Sequence, residues 1–360
     1  MIEMEKALDE LRAQIDAVDN QILALLNERM AVVKKVGELK NSNNAIIYRP
    51  EREKSIIDRL DTANQGLLTR GMIEAVFLEI FAASRNFELP ERVAYLGPQG
   101  SFTHQAAENR FGVMSEYIPL STIQAVFESV DTERVRFGVV PIENNRQGFV
   151  GETVDLFYDL DVKIVAEIVL PIHHTFASRC DQLRDIKYIY SKDVAFKQCK
   201  NFLREYFGKD KAELVPVDST SKAAQMAMEV ENSAAICSDV AAKIYQAPIL
   251  FHNIEDSSDN QTRFLIISKN FVNKPSGDDK STLILKLPDV VGSLAVFLQD
   301  FRDHGVNLIK IENRPERTDS NFKAWFYLDL DGHIEDEHIK AVVAKHQDKI
   351  KWLGSYVKLV

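Results

Sequence analysis

The sequence predicts three parts: an all-α unit that pairs with a second copy of itself, a two-lobed α/β unit, and a small βαββαβ sandwich. Three observations carry this. The first forty residues hold a helical apolar seam, with no Pro before Pro50. From about 91 to 270, short apolar runs alternate with helical stretches and turn residues. After a polar linker at 273–280, the chain reads strand, helix, strand, strand, helix, strand, the pattern of a ferredoxin-like sandwich. The parts are expected at 1–90, 91–270 and 280–360.

The seam runs Leu8, Leu11, Ile15, Val18, Ile22, Leu25, Val32, Val36 and Leu39, in steps of three and four. A helix over 4–40 spans roughly 55 Å at ~1.5 Å per residue, too long to bury its seam alone. Arg29 occupies a seam position where an apolar residue belongs, and a buried guanidinium is costly unless an anion meets it. Lys40 falls about 20° round and roughly 16 Å further on, so the two cations share a face. Arg12 lies about 25 Å from Arg29 along the axis, beyond the reach of one small ligand on one straight helix. An antiparallel second copy brings its Arg12 opposite Arg29. The competing reading has Arg29 snorkelling and Lys40 as a solvated end.

A polar break at 41–44 follows, then a helix opening on Pro50 with Glu51, Arg52 and Glu53 near its positive end. A third helix is expected over 67–87. In the α/β region, 93–96 reads as a strand feeding Gly97-Pro-Gln-Gly-Ser-Phe-Thr-His104, a glycine turn that also suits an anion. A helix at 123–127 and a strand at 136–141 follow, with a polar loop at 142–148. The second lobe is expected to begin with the strand 163–170 and to continue through 188–190, a helix over 195–207 and the strand 234–237. The chain then returns to the first lobe at 262–267. A crevice between two such lobes takes a ligand, an architecture like that of periplasmic solute-binding proteins.

Composition narrows the function. At 360 residues, 45% apolar and 27% charged, the chain is an ordinary multidomain globular protein. It has no apolar run of membrane-spanning length and no signal-peptide pattern at its start. Cys180, Cys199 and Cys237 lack metal spacing and suit a reducing cytoplasm. The net charge of −10 argues against nucleic acid or an anionic membrane as partner.

Several segments, in order, resemble the bifunctional chorismate mutase/prephenate dehydratases of phenylalanine biosynthesis. They are the 97–104 turn, Val140-Pro-Ile-Glu-Asn144, Tyr190-Ser191 with Gln198-Cys199, Ser219-Thr-Ser221, Thr262-Arg-Phe264 and Glu312-Asn-Arg-Pro315. The resemblance covers nearly the whole chain. It implies that the helical unit rearranges chorismate to prephenate, with Arg29 and Arg52 on the substrate and Arg12 supplied by the other protomer. Lys40 would sit on the ether oxygen, Glu53 on the hydroxyl, and Ser84 on the substrate side. A second ether-oxygen donor aligns with Glu88, where some relatives carry Gln.

The resemblance further implies a dehydratase crevice in which Thr262 protonates the leaving hydroxyl or positions its donor. Asn144, Ser191 and Gln198 match polar site residues, and Thr103, Ser219, Thr220 and Arg263 line the same crevice. His174 matches a recurrent family histidine, with a structural role as the alternative. Glu143 is open between a site group and a salt-bridge partner. The C-terminal unit resembles an ACT domain, whose phenylalanine-binding motifs fall at Gly292-Ser293-Leu294 and Glu312-Asn313-Arg314-Pro315. Feedback inhibition by L-phenylalanine in a homodimer or larger assembly is implied, with no cofactor and no metal.

Two other readings compete. One is a monofunctional dehydratase on a non-catalytic helical dimeriser; the other is a non-catalytic small-anion sensor. Joint retention of Arg12, Arg29, Lys40, Arg52 and Glu53 opposes the first, and Thr262-Arg-Phe264 opposes the second. One consequence of the Glu88 assignment is testable. A carboxylate donates a hydrogen bond only when protonated, so mutase activity falls as pH rises through a raised Glu88 pKa. Glu88→Gln flattens that pH profile, and an unchanged profile removes Glu88 from the site.

Overall fold

The computed structural model describes residues 2–41, 49–88, 92–208, 212–315 and 324–358, without the side chains of 2, 3, 40, 41 and 88. The first unit is three helices: α1 (Ile2–Asn41), α2 (Pro50–Ala63) and α3 (Arg70–Glu88). Pro50 stands in the first turn of α2 with Glu51 and Glu53, where a missing N–H costs nothing and acidic groups meet the positive helix end. Ile57, Ile73 and Phe81 make a small core between α2 and α3. The seam of α1 has little cover from its own chain: Leu11, Ile15, Val18, Ile22, Leu25 and Val32 are 50–64% exposed.

The first lobe of the middle region runs β1 (Arg92–Leu96), α4 (Phe102–Phe111), β2 (Glu116–Leu120), α5 (Ile123–Asp131), β3 (Phe137–Asn144), β4 (Gly148–Phe149), α6 (Gly151–Asp159) and β5 (Lys163–Pro171). The second runs β6 (Thr175–Ser178), β7 (Tyr188–Ser191), α7 (Asp193–Gln198), α8 (Lys200–Tyr206), β8 (Glu213–Pro216), α9 (Thr220–Glu229), β9 (Ser233–Cys237), α10 (Asp239–Ile244) and β10 (Ile249–Phe251). The chain then returns as β11 (Gln261–Ser268), antiparallel to both β3 and β5. The first sheet has the order β2-β1-β3-β11-β5, with β4 on β3; the second has β10-β6-β9-β7-β8.

Three expectations change. The strand assigned to the start of the second lobe is β5, and it belongs to the first sheet. Its apolar run is buried on both faces, so it sits between layers, and the chain crosses over only after Pro171. The helix expected over 195–207 is two helices broken at Cys199. There the Asp256 carboxylate accepts the Lys200 and Asn201 N–H groups at 3.2 and 2.8 Å, and its own N–H donates to the Gln198 carbonyl at 2.7 Å. A side chain from another segment thus caps a new helix start. The polar loop at 142–148 is strand as far as Asn144.

The C-terminal unit is β12 (Asp279–Lys286), α11 (Ser293–Asp303), β13 (Leu308–Pro315), β14 (Ala324–Asp331), α12 (Glu337–Lys345) and β15 (Ile350–Val357), with sheet order β13-β14-β12-β15. Both sheet faces are covered. Leu283, Leu285, Leu328 and Leu330 pack on Phe297, Phe301, Ile339 and Val342 of the two helices. Ile284, Trp325, Tyr327, Leu353 and Tyr356 share one core with Val140, Phe157 and Leu265 of the first lobe. Gly354 has no room for a Cβ against the Ile164 carbonyl. Lys351 Nζ donates to the carbonyls of Phe157, Tyr158 and Leu160 at 2.8–3.1 Å, satisfying the C-terminal end of α6. The polar linker therefore joins parts that fold against each other. No helix among the described residues is long and apolar enough to cross a membrane.

Candidate active sites

In the helical unit, Arg29 turns off the α1 seam toward α3. Its Nη1 donates to Ser84 Oγ, and its guanidinium lies 5.8 Å from the Phe81 ring centroid. Burial lowers its pKa from the ordinary value, as desolvation does to a cation. Arg52 is exposed on α2, where Val36, Arg49, Glu51, Arg52 and Ser55 line a cavity of about 480 Å³. Arg12 is exposed and pairs with Asp9 at 3.1 Å. Lys40 and Glu88 end α1 and α3, and their side chains lie outside the described residues.

Glu53 departs from its expected place. Its carboxylate binds Arg85 Nη1 of α3 and, at 2.9 Å, Arg110 Nη1 of α4. The group assigned to a substrate hydroxyl instead closes a buried ion cluster between the helical unit and the first lobe. The acidic α2 start and a basic α4 end meet there because the units pack together.

The dehydratase-side residues gather at strand and helix ends. Asn144 and Thr262 are ladder partners on β3 and β11, and Asn144 Nδ2 donates to Thr262 Oγ1 at 2.9 Å. The Asn144 amide cannot flip without loss, because its Oδ1 accepts the N–H groups of Arg146 and Gln147, each at 3.0 Å. Its Nδ2 also reaches Asn260 Oδ1 at 2.9 Å. Thr262 shares its strand face with Phe264 and Ile266, whose core includes Ala106, Ala107 and Phe111 of α4. Thr103, near the start of α4, is buried.

His174 follows β5 into the crossover and is 2% exposed. It meets the Phe102 ring edge-on at 5.7 Å and lies 2.7 Å from Gln198 Oε1 through Nε2. With the amide oxygen as acceptor, Nε2 carries the proton and Nδ1 is a buried lone pair without a hydrogen-bond partner among the described residues. Ser191 donates to the Ile236 carbonyl at 2.7 Å, Ser219 Oγ caps α9 by accepting the Lys222 N–H at 3.0 Å, and Thr220 is buried beside it. The glycine turn is the contact between lobes: Ser221 and Ser238 donate to the carbonyls of Gln99 and Gly100. At Gly100, with φ of +83°, a Cβ would stand 2.8 Å from Ser221 Oγ and 3.0 Å from Ala241 Cα. The Gly97, Gly100 and Ser101 N–H groups, the donors an anion would need, already go to the Leu120 carbonyl, His104 Nδ1 and the Pro98 carbonyl, so the turn serves as a closing contact.

Arg263 does not line the crevice. It sits one residue from Thr262, so strand alternation sends it to the opposite face. There it binds Glu167 at 2.8 Å, Asp329 at 2.6 Å and Tyr356 Oη at 3.0 Å, across the boundary with the C-terminal sheet. Glu143 resolves likewise, as the partner of Lys310 Nζ on β13. These placements were readable in outline from alternation once Thr262 and Asn144 faced the crevice. Their partners Glu167, Lys310 and Asp329 carried no local signal.

In the C-terminal unit, Gly292 adopts φ +85° immediately before α11, and Ser293 and Leu294 are half-buried at that helix start. Glu312, Asn313, Arg314 and Pro315 lie on the edge strand β13. Arg314 is committed elsewhere than expected, to a bidentate pair with Asp155 at 2.8–3.1 Å. Among the described residues no group of three or more His, Cys, Asp or Glu is placed to hold a metal.

Comparison with known proteins matches both catalytic units. The chorismate mutase type II model matches residues 11–89, and the prephenate dehydratase model matches 93–271. A bifunctional chorismate mutase/prephenate dehydratase of Aquifex aeolicus is 41% identical, covering 98% of each chain. The chain belongs to the bifunctional chorismate mutase/prephenate dehydratase family. The Pseudomonas aeruginosa enzyme of that family is 36% identical, again over 98% of each chain. The prephenate dehydratase of Arthrobacter aurescens, solved with L-Phe, is 30% identical over 74% of this chain and 90% of its own, with a TM-score of 0.67. This chain is therefore an enzyme with an isomerase unit and a lyase unit.

Burial lowers the His174 pKa, with the Gln198 hydrogen bond acting the other way; burial lowers His104 as well. A depressed folded pKa means the unfolded chain binds protons first. The corresponding stability is full above the unfolded value of about 6.5 and is lost as pH falls through the lower folded value. Melting temperatures measured from about pH 7.5 to about pH 5.5 decline, and less steeply in His174→Gln. Equal slopes would remove His174 as a source of the acid sensitivity.

Proposed function

We propose that the two units act in sequence, chorismate to prephenate and prephenate to phenylpyruvate, with the final product pathway throttled by L-phenylalanine at the C-terminal unit. The observation that carries the reading is the Asn144–Thr262 pair at the crevice of a chain that also bears Arg29 and Ser84 at a helical site.

The first reaction is pericyclic and needs no nucleophile or cofactor. Its barrier falls when a dianion is held in a chair-like conformer and charge on the ether oxygen is stabilised. Arg29 and Arg52 take the carboxylates, and an anion there offsets the burial of the Arg29 guanidinium. Lys40 and a protonated Glu88 take the ether oxygen, and Ser84 orients Arg29 from α3. Arg12 comes from a second copy whose α1 covers the bare seam, in an intertwined dimer.

In the second reaction the bond from the ring to its carboxylate breaks, its electrons enter the ring, and the hydroxyl leaves opposite. The carboxylate departs as CO2 and the hydroxide as water, so one proton must reach the leaving oxygen. Thr262 Oγ1 accepts a hydrogen bond from Asn144, which leaves its own proton free to donate and polarises that O–H. A Thr hydroxyl is a weak acid, so it works by positioning a proton through a relay that restores it. Ser191, Gln198, Ser219, Thr220 and Thr103 shape the rest of the crevice.

The C-terminal unit has the strand order of a ferredoxin-like ACT domain. The left-handed Gly292 and the open β13 edge suit an amino acid bound between paired copies.

Supplying chorismate tests the whole reading: prephenate appears first, then phenylpyruvate. Turnover of prephenate alone favours the dehydratase-only reading, and no turnover favours the sensor. Arg12→Ala and Arg29→Ala proteins are each inactive as mutases, and mixing them under subunit exchange restores activity. No recovery would place Arg12 in its own chain's site or outside it. Millimolar phenylalanine lowers the dehydratase rate, and Gly292→Val, which strains a left-handed position, abolishes the response; a retained response moves the effector elsewhere.

A further inference from the structure

Two ladder pairs sit side by side where β3 meets β11. Asn144 opposite Thr262 faces the crevice, and Glu143 opposite Arg263 faces the C-terminal sheet. Opposed residues share a face and successive residues alternate, so the two pairs are the two sides of one patch of backbone.

Each outer residue is gripped by the C-terminal unit. Glu143 pairs with Lys310 of β13, whose Nζ also lies 4.6 Å from the Phe149 ring centroid. Arg263 pairs with Asp329 of β14 and with Tyr356 of β15. Thr282 of β12 ties Asp329 and Tyr356 together at 2.7 and 2.8 Å, and Lys280 joins through Glu167 at 2.8 Å. The Asp329 and Glu167 side chains are 1% and 4% exposed. Buried ion networks of this kind fix one arrangement more than they raise stability.

The backbone between these pairs is irregular. Between Arg263 and Phe264 the partner on β3 jumps from Glu143 to Pro141, and the skipped Ile142 accepts the Val150 N–H at 2.8 Å. A bulge of this kind disrupts the ladder locally and re-aims the side chains beyond it. Asn144 and Thr262 lie beyond the bulge, where they still pair with each other and Thr262 with Leu170, so the aim of Asn144 at the Thr262 hydroxyl follows how the bulged stretch of β3 is held.

We propose that Glu143 and Arg263 are positioning residues of the dehydratase, through which the C-terminal sheet sets the placement of Asn144 and Thr262. This rests on the reading of that pair as the dehydratase site. It makes the lyase reaction depend on Lys310 and Asp329, which contact no substrate. It also gives β13 two tasks, since the strand that holds Glu143 continues into Glu312–Pro315.

The test uses the full-length protein with Lys310→Ala and Asp329→Asn, assayed separately on prephenate and on chorismate. The dehydratase kcat falls roughly tenfold or more with KM little changed, as misplacement of reacting groups predicts. The mutase rate in the same polypeptide stays at the wild-type level and reports that the chain is folded. A dehydratase kcat within about twofold of wild type in both variants overturns the proposal, because coupled sites differ by more than that. If both activities fall together, the exchanged pair Glu143→Lys with Lys310→Glu decides: recovery of kcat over either single change supports positioning, and no recovery overturns it. Wild-type protein that fails to turn over prephenate would instead refute the site reading itself.

Discussion

Everything in the middle of this molecule hangs on one antiparallel strand. After β5 the chain leaves the first lobe, builds the second, and must come back; it returns as β11, inserted between β3 and β5. That insertion closes the first sheet, pins the two crossings between lobes, and sets Thr262 against Asn144. The same strand presents Leu265 and Ile267 to the core shared with the C-terminal sheet. A change in β11 register by one residue would exchange its two faces, sending Thr262 to the C-terminal sheet and Arg263 to the crevice. On the proposed site, register becomes a functional quantity, with charged pairs on the outer face beside it.

The three parts are less separate than their sequence borders suggest. Arg110 of the first lobe reaches Glu53 of the helical unit, and Lys351 of the C-terminal sheet caps α6. Val140 and Tyr356, from two parts, occupy one core. Each junction uses groups that solvent would otherwise satisfy: helix-end carbonyls, a helix-start carboxylate, a sheet face. The units have been joined by using each other as capping and covering material.

Local periodicity made much of this legible. The α1 seam, Pro50 at a helix start and the β12 to β15 order follow from spacing and from the turn residues, and the family resemblance names Asn144 and Thr262, which the structure pairs. The failures have a common cause. Cys199 gave no sign of a break because the group that caps α8, Asp256, arrives from distant sequence. The strand at 163–170 looked like the opening of a new lobe because nothing local says which sheet a buried strand joins. Arg263 and Arg314 invite a ligand-binding reading because the carboxylates that claim them, Asp329 and Asp155, come from other units. Sequence-local reasoning finds the cation and misses the anion.

The bare face of α1 has a consequence for how the molecule is made. The lobes and the C-terminal sheet find their cover inside one chain, so their completion is a first-order event. The α1 seam has little cover among the described residues, so in the proposed dimer it would gain its cover by collision, at a rate set by how many chains are present. In that dimer the lobes would be complete before the helical unit, by an interval that shortens as protein concentration rises.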